Sequence, residues 1–378
     1  MALKTIDADG HILEPPSLWQ DYIDPGFREK APRMLYTEQG GEVFWVSDDF
    51  SLGDGVKTLG AGGTFSASDT APDIKLMELD ASSPKWVEGV AGGFDPTKRL
   101  VDMDRDEIDQ TFLYPTLGLF LDLVSDVPQA AANYRAYNRW LADYCSAAPD
   151  RLFGVGALPL QSVETAIEEL RHCVKTLGFK AIFLRPNPYN GRPLHHPDFH
   201  PLWAEAQELD CAIAIHGGAA QPNLGSDRFP ANECMAAEHC VAHTFEMMAA
   251  SVSFILCGIC ELYPRLRVAF LEAGGGWMLG WLDRMDRHYV DSVMNDTILT
   301  TRPSEIYRRQ CFTSFEPHER SIGLLSDMLG SETMLWSSDY PHPDGFWRAV
   351  GMIRDLKLDP KVEADLLSNG AKRLYGLQ

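Results

Sequence analysis

The sequence predicts an α/β fold, a single (β/α)8 barrel of the TIM type with an excursion inserted after its first strand. Three observations predict it. Eight short apolar runs alternate with helical stretches, the pattern of crossover units that build a parallel sheet. Six of these runs end in or beside ionisable residues, where a barrel places its chemistry. The first run leads into ADGHILEP, which is not the Gly-rich phosphate loop that an open dinucleotide-binding sheet would carry.

The elements follow in order. LKTIDADGHILE supplies the first strand (residues 3–9), stopped by Glu14, Pro15 and Pro16 because two prolines cannot continue a ladder. Residues 33–75 differ in character: VFWV alternates weakly and LGAGGTFSASDT is rich in Gly, Ser and Thr. We expect a hairpin with a loop, an insertion in one domain spanning 1–378, with the Gly60–Ala71 stretch as a lid. TKRLVDMDRDEID reads as a helix and leads to the second run, 111–115, followed by a long helix from Val127 to Ala148. The third run, 152–158, precedes a helix that Ser162 and Thr165 can start and Gly178 can end. The remaining runs lie at 180–185, 211–216, 267–272, 311–315 and 334–339, each separated by a helical stretch. Gly274 to Gly276 follow the sixth run and read as a tight turn.

Composition narrows the functions. The 378 residues carry 54 Asp and Glu against 33 Lys and Arg, a formal charge of −21. So acidic a chain is poorly suited to nucleic acid or to an anionic membrane surface. Hydrophobic residues at 45% are ample for a large core. We expect no apolar run long enough to span a bilayer, and no leader in MALKTIDADGH. Eight scattered cysteines without metal-finger spacing read as reduced thiols, and hence as a cytoplasmic protein.

At the run ends stand Asp9 and His11, Arg185, His216, Glu272, Glu316, and Asp339 with His342 just beyond. Unpaired buried charges are costly, so their concentration there points to function rather than packing. Asp9, His11, His216 and Asp339 form a mixed imidazole–carboxylate set suited to one divalent ion, zinc or manganese. Asp9 and His11, two apart on a strand, share a face. Phe44, Trp45, Trp277, Trp281, Phe346 and Trp347 are candidates to line an apolar pocket, but aromatic residues at helical spacing are mostly core, so none is assigned to substrate.

On DADGHILEP, GFKAIFLRPNPYNGRPLHHPDF, AIAIHGG, RLRVAFLEAGGGWM and SSDYPHPDG, the chain resembles the amidohydrolase-2 branch of the amidohydrolase superfamily over nearly its whole length. The resemblance implies a metal-dependent barrel assembled as a homodimer or larger homo-oligomer and acting on a small, carboxylated molecule. It gives Asp9 and His11 the first-strand ligand positions, His216 the fifth-strand one, and Asp339 the carboxylate that touches both metal and reacting group. Two positions depart from the branch. Asp9 is shorter than the usual Glu, and Glu272 stands where the decarboxylases carry a sixth-strand His. His243, in AHTFEMM, is the expected substitute, paired with Glu272 so that the carboxylate helps the imidazole keep its proton.

The resulting expectation is non-oxidative decarboxylation of a small aromatic or conjugated carboxylate. Asp339, His243 and Glu272 are its catalytic residues, and Arg185 and His342 bind substrate. The alternative is hydrolysis of an amide, lactone or ester by a metal-activated water, with Asp339 as base. A metal-binding scaffold without catalysis is the third reading.

Overall fold

The structure is a computed structural model that describes residues 3–36, 38, 41–48, 50–52, 86–217, 224, 228–229, 231–342 and 345–377. Among these residues the strands are β1 (Ile6–His11), β2 (Arg33–Tyr36), β3 (Glu42–Trp45), β4 (Ser51–Leu52), β5 (Gln110–Tyr114), β6 (Leu152–Ala157), β7 (Ala181–Leu184), β8 (Ala212–His216), β9 (Val268–Leu271), β10 (Cys311–Phe315) and β11 (Met334–Trp336). One eight-stranded sheet runs in the order β1-β5-β6-β7-β8-β9-β10-β11. The fold is the expected (β/α)8 barrel, with all eight predicted strands present. Strands β1, β5 and β7 to β11 are buried along their whole length. That is why AIAIH and VAFL read as continuous apolar runs rather than as alternating ones.

The described chain gathers into two compact units. The first comprises residues 9–179 and 338–350. In it β5 pairs with β6 in parallel, Thr111 opposite Leu152. The segment after β11 runs beside the end of β1: Asp339 N–H donates to the Asp9 carbonyl (3.1 Å) and His11 N–H to the Tyr340 carbonyl (2.7 Å). The helix Val127–Cys145 starts at Asp126, whose carboxylate accepts the Gln129 N–H, and buries Ala130, Tyr134, Tyr137 and Leu141. The helix Val163–Lys175 is capped by Ser162 alone, with Thr165 N–H as the donor, and Gly178 turns the chain at φ +76°. The excursion contributes an antiparallel sheet β2-β3-β4, with Met34 opposite Phe44 and Phe44 opposite Leu52. The Gly60–Ala71 stretch lies outside the described residues.

The second unit comprises residues 1–8, 180–337 and 351–378. Strands β7 to β11 pair in parallel, with Ile182 opposite Ile213, His216 opposite Leu271, Cys311 opposite Val268 and Thr313 opposite Met334. The C-terminal helix Gly370–Tyr375, absent from the sequence prediction, sends the Tyr375 hydroxyl to the Ala8 carbonyl (2.7 Å) and so pins the start of β1.

One expectation is corrected. The helical run Ala236–Leu262 is long and apolar enough to cross a membrane, with mean hydropathy 1.7, although 56% of that window is buried within the protein. Its alanines, cysteines and methionines carry the hydropathy, and Glu238, His239, His243 and Glu246 break it up to the eye. Those polar residues and its burial make it a core helix.

Candidate active site

In the first unit β1 ends in Asp9, Gly10 and His11, all buried. The His11 Nδ1–H donates to the Pro115 carbonyl (2.8 Å), which fixes the tautomer and turns the Nε2 lone pair outward. That nitrogen lies 3.3 Å from Asp339 Oδ1 and 3.6 Å from Asp9 Oδ1. A lone pair facing two carboxylate oxygens is repulsive unless a proton or a metal ion stands among them. The donors are also of the imidazole–oxygen kind that zinc and manganese accept. The residues present therefore fit a divalent ion.

Asp339 departs from its expected place at the strand end: β11 stops at Trp336, and Asp339 follows three residues later with φ +51°. A non-glycine residue there costs about 1–3 kcal/mol, a strain that the surrounding loop holds in place. Gly345 allows that loop to close, since a Cβ on it would lie 2.8 Å from the Asp339 carbonyl oxygen. His342 lies against the carboxylate: its Nδ1 is 3.0 Å from Asp339 Oδ1 and its ring stacks on His11 at 3.9 Å. The Thr116 hydroxyl donates to the Ile12 carbonyl (2.5 Å), so it accepts from the His342 Nε2–H (2.8 Å).

Behind this cluster lies a residue that the sequence reading used only as a strand stop. Glu14 is fully buried, and its carboxylate accepts the N–H groups of Thr116 (3.0 Å), Leu117 (2.9 Å) and Gly118 (2.8 Å). Burial pushes its carboxyl up to about 7, against the opposing pull of those three donors.

In the second unit β8 ends in the buried His216, whose Nδ1–H faces the Gly217 carbonyl (2.9 Å) and Glu272 Oε2 (3.1 Å). This turns its Nε2 outward, the orientation of a metal-binding imidazole. Glu272, one residue past β9, has φ +52°, and its N–H donates to the Ser314 hydroxyl (3.1 Å). Its Oε2 is 3.7 Å from His243 Nε2, so the expected Glu272–His243 pair is in contact. His243 comes from the helix Ala231–Ser251 and is buried, with its Nδ1–H on the His239 carbonyl (3.2 Å). The same helix carries two residues that the sequence reading passed over, His239 and Glu246. Their spacing from His243, one turn to either side along one face, was the available signal.

Arg185, one residue past β7, is buried, and its charge pulls against the burial that raises the Glu246 carboxyl. Glu246 also accepts the Leu224 N–H (2.7 Å). Gly275 and Gly276 present their N–H groups to the Glu319 carboxylate (3.0 and 3.2 Å), so the Gly274–Gly276 turn holds an anion of the protein's own. Trp277 and Trp281 donate to Gly274 and Met248 carbonyls, while Trp45 and Trp347 lie under Arg33 and Arg105; all four have packing roles.

Compared with known proteins, the chain matches the family model Amidohydro_2, described as Amidohydrolase, over residues 6–377. A 2-amino-3-carboxymuconate-6-semialdehyde decarboxylase from Dictyostelium discoideum is 28% identical over 298 residues, 75% of this chain and 77% of that protein. A solved amidohydrolase from Mycobacterium avium subsp. paratuberculosis K-10 superposes with a TM-score of 0.81 at 20% identity, over 100% of both chains. A dihydroxybenzoic acid decarboxylase from Polaromonas sp. JS666 was solved with manganese and the inhibitor 2-nitroresorcinol. It superposes with a TM-score of 0.70 at 18% identity, over 100% of this chain and 98% of that one. These two structural likenesses bear on the fold.

Proposed function

We propose, for a chain that belongs to the amidohydrolase family, the metal-dependent, non-oxidative decarboxylation of a small aromatic or conjugated carboxylate. The observation that carries it is the His11 Nε2 lone pair set against the Asp9 and Asp339 carboxylates. In a (β/α)8 fold the strand ends share one face, so His216 from β8 completes the proposed ligand set of Asp9, His11, His216 and Asp339. Support for the reaction comes from the decarboxylases among its relatives, and support for manganese from the ion in one of them. Zinc suits the same donors.

When bound, the ion supplies a positive charge that polarises the substrate's carboxylate or phenolate oxygen. The chain's own residues do the rest. Arg185 pairs with the substrate carboxylate through its planar fork. His342 contacts substrate beside Asp339, whose Oδ1 lies 3.0 Å from its Nδ1. His243, oriented by Glu272, delivers a proton to the carbon that bears the carboxylate. The carbon–carbon bond then breaks, its electron pair returns to the conjugated system and CO2 leaves.

Hydrolysis of an amide, lactone or ester is the second reading, with Asp339 accepting a proton from the attacking water. It is favoured by Glu272 standing where the decarboxylases carry a His. A panel of aromatic carboxylates, amides and lactones, tested on metal-loaded enzyme, decides between them. CO2 release supports decarboxylation, and cleavage of amides or lactones without it overturns that reading. His243→Asn should lower kcat on the true substrate by about 10²–10⁴. An unchanged kcat removes His243 from the chemistry.

The same reading takes the chain as one barrel domain with an insertion at about 33–75, working as a homodimer or larger homo-oligomer in the cytoplasm.

A further inference from the structure

We propose that His239, His243 and Glu272 form a second divalent-cation site, of the zinc-preferring kind, whose occupation withdraws His243 from proton delivery. The regulatory half of this rests on the role given to His243 above; the site itself does not.

The helix Ala231–Ser251 sets His239 and His243 one turn apart on one face, with ring centroids 4.0 Å apart. Glu272 meets them from the end of β9, carried out of the strand by its positive φ. One ligand atom from each of the three residues lies within 4.8 Å of the other two. Two imidazoles one helical turn apart, with a carboxylate from another element, make a recurrent zinc-binding arrangement. Oxygen-seeking ions such as calcium or magnesium would not favour two imidazoles.

The tautomer points the same way. His243 Nδ1–H is committed to the His239 carbonyl, so the lone pair on Nε2 faces Glu272 Oε2 at 3.7 Å. Either a proton or a cation stabilises that juxtaposition. A proton there equips His243 as a donor, and a metal ion there removes it. The three residues are separate from Asp9, His11, His216 and Asp339, and Glu272 touches that set through His216 (3.1 Å).

Zinc binding to metal-free protein, measured by equilibrium dialysis against buffered free zinc, tests the site without reference to any substrate. Wild type should take up two ions per chain at saturation. His239→Ala should take up one, and His11→Ala, which damages the other set, also one. His239→Ala keeps the backbone carbonyl that orients His243, and His239→Gln serves as a second variant. One zinc per chain in wild type, or two in both His239 variants, overturns the site. On a substrate that the enzyme turns over, filling the second site should lower wild-type activity by about a hundredfold and leave His239→Ala at its basal rate. Two ions bound without inhibition would retain the site and refute its coupling to His243. A failure of the decarboxylase reading would leave the stoichiometry unchanged.

Discussion

Replacing Glu14 by Gln should change the pH dependence of stability in a direction opposite to the usual behaviour of a carboxylate. The side chain is fully buried, and its carboxyl is pushed up from 4.5 to about 7 by loss of solvent. At low pH it is protonated in both the folded and unfolded chains and contributes no pH dependence. Between about 4.5 and 7 the unfolded chain releases the proton while the folded chain keeps it, so stability falls as pH rises. Above about 7 both states are ionised and the loss levels off. The gap between the two values amounts to about 3 kcal/mol. Glutamine has the same shape and no proton to lose. It does turn an amide nitrogen toward one of the Thr116, Leu117 or Gly118 N–H groups, a penalty that does not change with pH. Urea unfolding of both proteins at intervals from pH 4 to 8 separates the two effects. The stability of wild type relative to Glu14→Gln should fall by about 3 kcal/mol across that range. Parallel profiles would refute the reasoning. A relative gain for wild type with rising pH would also refute it, by showing that the three N–H donors outweigh burial.

His216→Ala should lower the content of bound divalent metal, measured by elemental analysis; full occupancy would reject His216 as a ligand. Gly217→Ala would place a Cβ 2.6 Å from His243 Cδ2, forcing the ring to shift at a cost of about 1–3 kcal/mol. Its kcat should fall while KM changes little, and a kcat equal to wild type would show that the ring's position is immaterial. Limited proteolysis should nick the chain in the Gly60–Ala71 stretch and leave one folded body; release of two stable halves would refute the single domain.

Much of this protein was legible in its sequence because parallel strands buried on both faces are conspicuous. A run such as AIAIH or VAFL has no polar alternation, so a charged residue closing it stands out, and Asp9, His11, His216 and Glu272 were found that way. The helix start at Ser162 was equally local, since a cap bonds to an N–H three residues ahead. What the sequence left open are bonds between distant segments. Glu14 meets Thr116 across 102 positions, and Thr116 meets His342 across 226, and neither pairing has a local signature. The same holds for Glu319 filling the Gly275–Gly276 turn, which on its own resembles a site for a foreign anion. Asp339 looked like a strand end, yet the ladder stops at Trp336 and a left-handed backbone aims the carboxylate at His11. Apolar patterning determines which residues are buried in the barrel. Which lone pair faces which carboxylate is decided by backbone carbonyls brought close only when the chain has folded, Pro115 for His11 and Gly217 for His216.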